Sequence, residues 1–137
     1  MGRVINYENA GKKRAVLCKK IVISLRELIK QSEVESNTRD LASFIALALL
    51  EISQTVEESV VAWEKRGYWL KADRFRLEWI WTDQYGLGIK KAIAEDNWND
   101  VATLSVKTYE KLKDIKIPQK KAVEPFWVGS YNKLIKH

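Results

Sequence analysis

The sequence predicts an all-α chain: an antiparallel up-down-up-down four-helix bundle over residues 1–115, followed by an irregular tail. Three observations point there. Both prolines, Pro118 and Pro125, lie in the last twenty residues, so no obligatory helix breaker falls before residue 115. Apolar residues recur at spacings of three and four almost throughout that stretch. No internal repeat or low-complexity linker interrupts it, so 137 residues read as one domain, large enough to bury a core without disulfides or a structural metal.

The first helix is expected over residues 12–31. Leu17, Cys18, Ile21, Val22, Leu25, Leu28 and Ile29 form a broad apolar face, and Lys12, Lys19, Arg26 and Lys30 form a basic stripe opposite it, widened by Lys13 and Lys20. The second helix, 38–66, opens after Asn37 or Thr38, whose side chains suit the free amides of a first turn, with Asp40 near the positive helix end. Lys65, Arg66 and Gly67 close it, since cations favour the carbonyl end and glycine takes the left-handed conformation that ends a helix.

The third helix, 68–94, carries the most regular seam in the chain: Tyr68, Ala72, Phe75, Trp79, Thr82, Gly86, Ile89 and Ile93. Nothing just after Gly67 caps a new helix, so a kinked rod over 38–94 is the alternative; at the usual rise it would be about 85 Å long, which favours the break. The fourth helix, 98–114, opens with Asn97 as cap and Asp100 three residues on, and buries Val101, Leu104, Tyr109 and Leu112. Residues 116–137 form a basic, aromatic tail that packs on the bundle or on a neighbouring subunit.

Net charge is +6, but it is distributed by segment. Residues 1–31 carry +6, 32–64 carry −6, 65–94 carry +4, 95–115 carry −2 and 116–137 carry +4. Alternation of sign between helices serves pairing in a bundle. The first-helix stripe is explained less well by pairing, because it lies opposite the apolar face; a solvated surface is the plain reading and a track for a polyanion the functional one.

Residues 63–81 hold four of the six tryptophans, with Tyr68, Phe75, Lys65, Arg66, Lys71, Arg74 and Arg76. Aromatic faces stack and basic side chains carry charge, so the segment suits a nucleic acid or a protein partner. Phe75, Trp79 and Ile80 are expected in the core, whereas Tyr68, Trp69 and Trp81 are candidates for binding. Leu41, Phe44, Ile45, Leu47, Leu49 and Leu50 make the second helix apolar on nearly every side, which calls for self-association there or for cover by the tail aromatics Phe126 and Trp127.

Catalysis is disfavoured. The single histidine is His137, the last residue, so no zinc set, di-metal bundle motif or Ser-His or Cys-His pair can be assembled. Gly86 and Gly88 lack the context of a phosphate loop and instead permit close helix approach. Glu51 and Glu58, and Glu57 and Glu64, are each seven apart; ion pairs to Arg74, Arg76 or first-helix lysines are the plain reading, since further metal ligands are missing. No catalytic residue, metal or cofactor is expected. Lone Cys18 fits a reducing cytoplasm. The longest apolar run is too short to span a bilayer, and neither a myristoylation signal, with Asn6 at its sixth position, nor a leader segment is recognisable.

These residues point to a non-enzymatic accessory protein that binds RNA or DNA, as an oligomer or as a small subunit of a nucleoprotein complex. The nucleic-acid contacts are expected from Lys12, Lys13, Lys19, Arg26, Lys65, Arg66, Trp69, Lys71 and Arg74, and the protein interface from Phe44, Leu47, Leu50, Phe126 and Trp127. A pure assembly module without nucleic acid is the rival. In architecture and charge alone, such a bundle resembles the non-catalytic accessory proteins of reverse transcriptases or structured RNA, and the helical small subunits of RNA-guided complexes.

Overall fold

A computed structural model describes residues 7–117 and 124–136, with residues 7 and 8 described by their backbone alone. Pro118, the basic residues at 120 and 121 and His137 lie outside the described residues. Four long helices pack together: α1 (Tyr7–Ile29), α2 (Ser36–Lys65), α3 (Trp69–Ala94) and α4 (Trp98–Leu112), followed by a short α5 (Ser130–Ile135). No strand occurs among the described residues. No helix there is long and apolar enough to cross a membrane.

Helix α2 is the central element. It packs against α1, α3 and α5, and Leu41, Ala42, Ile45, Ala46, Leu49, Ile52 and Val60 are fully buried. Residue pairs fix the registers. Lys13 and Arg14 of α1 reach Glu51 and Thr55 of α2, while Gln31, just after α1, meets Thr38 at the start of α2. Across α2 and α3, Trp63 meets Phe75 and Glu57 meets Arg76, whereas Leu50 lies against Gly86. A Cβ on Gly86 would sit 3.0 Å from Leu50 and 3.2 Å from the Ala46 carbonyl oxygen, so α2 and α3 approach closely there. On Gly88 it would lie 2.8 Å from Leu104, the corresponding contact with α4.

Both tight turns close by the same device. The Tyr68 amide donates to the Trp63 carbonyl (2.9 Å) and the Gly67 amide to Glu64 (3.0 Å), with Gly67 at φ +80°. That is a Schellman closure, in which the left-handed residue lets the last carbonyls of α2 find donors. The chain therefore breaks at Gly67, without a side-chain cap on α3. Between α3 and α4 the Asn97 amide donates to Ala92 (2.8 Å) and the Asp96 amide to Ile93 (3.1 Å), and here Asp96 takes the left-handed position at φ 54°. Asn97 then caps α4 by accepting from the Asp100 amide, as its sequence position predicts.

The structure corrects several expectations. α1 starts at Tyr7, five residues earlier than predicted, because nothing in 7–11 breaks the helix and Ala10 is buried; its last residue, Ile29, is exposed. Glu35, rather than Asn37 or Thr38, caps α2: the Thr38 hydroxyl accepts from the Glu35 amide and donates to the Glu33 carbonyl. Ile80 and Tyr109 are exposed, and Trp81 is buried at 8% exposure. The tail is not irregular throughout, since residues 130–135 form α5.

That tail is bound to α2. Trp127 is 5% exposed, its indole N–H donating to Asn37 Oδ1 (2.8 Å). The Asp40 carboxylate accepts from the Gly129 (3.2 Å) and Tyr131 (2.9 Å) amides, the open donors at the start of α5. Asn37 and Asp40 thus serve the tail instead of their own helix end. Phe126 stands edge-on to Phe44 at 4.9 Å, with the Lys20 ammonium 5.5 Å from its ring centre.

Candidate nucleic-acid interface

The α2–α3 corner presents the exposed aromatics Tyr68 and Trp69. The buried face of α3 begins with Ala72, so the three residues between the turn glycine and Lys71 project outward: Tyr68, Trp69 (61% exposed) and Leu70. Lys65 and Arg74 are exposed beside them. The Lys71 ammonium sits 4.5 Å from the Trp63 ring centre, and Trp63 is edge-on to Phe75 at 4.8 Å, so Lys71 is held by a cation–π contact.

Of the predicted nucleic-acid cations, five carry neither an ion pair nor a ring contact among the described residues: Lys12, Lys19, Arg26, Lys65 and Arg74. All five are exposed. Lys13 differs, because its ammonium is 2.8 Å from Glu51. Arg66 is exposed and engaged in a contact of its own. The registers put the first turns of α1 toward the bundle end that holds the Gly67 corner, with Lys12 still about 12 Å along the bundle from the level of Lys65. Arg26 stands about 21 Å further along α1. The set thus divides into Lys65 and Arg74 at the corner and Lys12, Lys19 and Arg26 along α1.

The carboxylates behave as the plain reading expects in two cases: Glu51 meets Lys13, and Glu57 accepts from Arg76 at 3.2 Å. No group of three or more His, Cys, Asp or Glu is placed to hold a metal ion among the described residues. A cleft of about 300 Å³ between α2 and α3 is lined by Ser53, Val56, Glu57, Arg76, Trp79, Ile80 and Asp83. Of its three charged residues, Glu57 and Arg76 pair with each other, and Asp83 leaves the lining with a net negative charge.

The predicted protein interface turns inward. Phe44 packs on Phe126 and the core, Leu47 packs against the core, Leu50 lies against Gly86 of α3, and Trp127 is buried. α1, α3 and the tail pack on α2 around these residues, while its exposed side carries Gln54, Glu57, Glu58 and Val61.

One residue escaped the sequence reading. Arg14 lies in register with Leu17, Cys18 and Ile21, and its guanidinium stands 4.8 Å from the Phe75 ring centre and 5.6 Å from that of Trp79, donating to Thr55 Oγ1 at 3.1 Å. Burial lowers its pKa below the ordinary arginine value. Burial likewise pushes the Cys18 thiol up to about 11, only partly offset by Arg14 nearby. A cation on an apolar helical face was the available signal.

No protein-family model, curated protein or solved structure matches this chain.

Proposed function

We propose that this chain is a non-enzymatic accessory protein that binds RNA or DNA through the α2–α3 corner and the basic stripe of α1, working as an oligomer or as a small subunit of a nucleoprotein complex. The observation that supports the reading is the set of five exposed cations without ion pairs or ring contacts, of which Lys65 and Arg74 lie beside exposed Trp69 and Tyr68 while Lys12, Lys19 and Arg26 follow α1. Lys65, Arg74 and Lys12 hold phosphates, Trp69 stacks on a base, and Lys19 and Arg26 extend the track. Within this reading the helices run up-down-up-down, a course supported by the Lys13–Glu51, Trp63–Phe75 and Leu50–Gly86 pairs. The protein works in the cytoplasm, where the lone thiol stays reduced.

A second reading, a pure assembly module, is favoured by the exposed apolar residues of α3. Reversing Lys12, Lys19 and Arg26 to Glu separates the two. The nucleic-acid reading expects loss of RNA and DNA binding with an unchanged melting temperature and solution mass. Unchanged binding, or binding lost only together with the fold, overturns it.

A further inference from the structure

The outer face of α3 carries an apolar stripe that nothing among the described residues covers: Leu70 (64% exposed), Leu77 (72%), Ile80 (47%) and Leu87 (51%). With Asp73 and Gln84 they stand at 70, 73, 77, 80, 84 and 87, the alternating spacing of three and four that defines a helix–helix seam. This seam is separate from the buried one that starts at Ala72. A soluble helix rarely leaves four large aliphatic residues aligned in water without a partner.

The order of residues along the stripe is what selects the partner. Read in reverse, it matches itself about a point between Glu78 and Trp79. Leu70 then faces Leu87, Leu77 faces Ile80, and Asp73 faces the amide of Gln84. Along one flank Arg76, which also pairs with Glu57 and Asp73 of its own chain, comes level with Asp83 of the second copy, a contact of opposite charges. A parallel arrangement would instead set Asp73 against Asp73, a like-charge contact that costs stability. Self-complementarity about a two-fold axis is the signature of an isologous dimer.

We propose that α3 pairs with α3 of a second copy of this chain, antiparallel and in this register. The proposal deepens the oligomeric half of the reading above and is independent of its nucleic-acid half. Ile80, Arg76 and Asp83 also line the cleft between α2 and α3, so the second copy lies along the rim of that cleft. From Leu70 to Leu87 the seam is about 26 Å long and about 10 Å wide, well under the roughly 800 Å² per partner of a standard interface. The dimer is accordingly a concentration-dependent one.

Sedimentation equilibrium from about 1 µM to about 1 mM tests this, with RNA binding measured separately on the same samples. The wild type is expected to pass from monomer to dimer in that range. Leu77→Glu enters the interface twice and is expected to weaken dimerisation at least about 100-fold, while the melting temperature stays put because Leu77 is on the surface. A wild type that stays monomeric, or a dimer indifferent to Leu77→Glu, overturns the proposal.

Cysteine pairing tests the register. Mixing Leu70→Cys with Leu87→Cys is expected to give a disulfide-linked heterodimer on oxidation, and neither variant alone should cross-link. The native Cys18 is buried, with its thiol held protonated up to about pH 11, and does not compete. Cross-linking of Leu70→Cys to itself overturns the antiparallel register. Loss of RNA binding without loss of the dimer touches only the nucleic-acid reading.

Discussion

Replacing Asp40 by Ala should release the C-terminal arm while leaving the four long helices folded. The carboxylate accepts two backbone amides, from Gly129 at 3.2 Å and Tyr131 at 2.9 Å, and places a negative charge at the start of α5. Hydrogen bonds to a charged group contribute roughly 1.5–3 kcal/mol each when buried. Asp40 is only half-buried, so about 1 kcal/mol each is the better figure, or about 2 kcal/mol together. That corresponds to an increase of about 30-fold in the undocked population of the arm.

Native-state amide hydrogen exchange reads this directly. The amides of Gly129, Tyr131 and the rest of α5 should exchange about 30-fold faster, while those around Ile45–Ile52 in α2 stay as protected as before. Asp40→Asn keeps an acceptor but loses the charge, and should fall about halfway. Equal acceleration in all helices would show that the arm is inseparable from the core, and no change at α5 would show that Asp40 does not hold it; either result refutes the reasoning.

Two further outcomes follow from backbone geometry and burial. Gly67→Ala places a Cβ in open space but at φ +80°, so only left-handed strain is added, and a loss of about 1 kcal/mol, near 3 °C in melting temperature, is expected by calorimetry. For Cys18, stability is complete below pH 9, where folded and unfolded chains both keep the thiol proton. Between pH 9 and about 11 the unfolded chain loses it first, so stability falls with rising pH by on the order of 2–3 kcal/mol. Denaturant titrations of Cys18→Ala should lack that component of the decline, and an identical decline in both proteins would contradict the burial argument.

Periodicity exposed the helices because the buried faces are long and regular; Ala72, Thr82, Gly86, Ile89 and Ile93 of the predicted α3 seam are all buried. The break at Gly67 was legible because only glycine takes φ +80° cheaply. Cap assignment failed at Asn37 and Asp40 because their partners are about 90 residues away in the tail, and no local pattern carries that information. Trp81 and Ile80 were exchanged for a related reason: spacing gives an angle around the helix, whereas burial also depends on which neighbours reach that side. For the candidate site, the exposed cations of α1 and the corner were readable from spacing. The class of partner for Glu51 and Glu57 was readable too, but not the individual pair, since only the register of α1 on α2 brings Lys13 rather than another first-helix lysine to Glu51. The second seam on α3 was hidden among the aromatic residues, because one helix carrying two apolar stripes reads as apolar almost all round.

The most direct test of the account is the salt dependence of binding to labelled single-stranded RNA, compared between wild type and Trp69→Ala. With Lys65 and Arg74 at the corner and Lys12, Lys19 and Arg26 along α1, the proposed interface would neutralise three to five phosphates, so the slope of log K against log salt should be roughly −2 to −3.5. Trp69→Ala should weaken binding by about 1–3 kcal/mol at every salt concentration without changing the slope, because stacking releases no counterions. Binding absent at low salt, or present with a flat slope and unaffected by Trp69→Ala, would contradict the nucleic-acid interface.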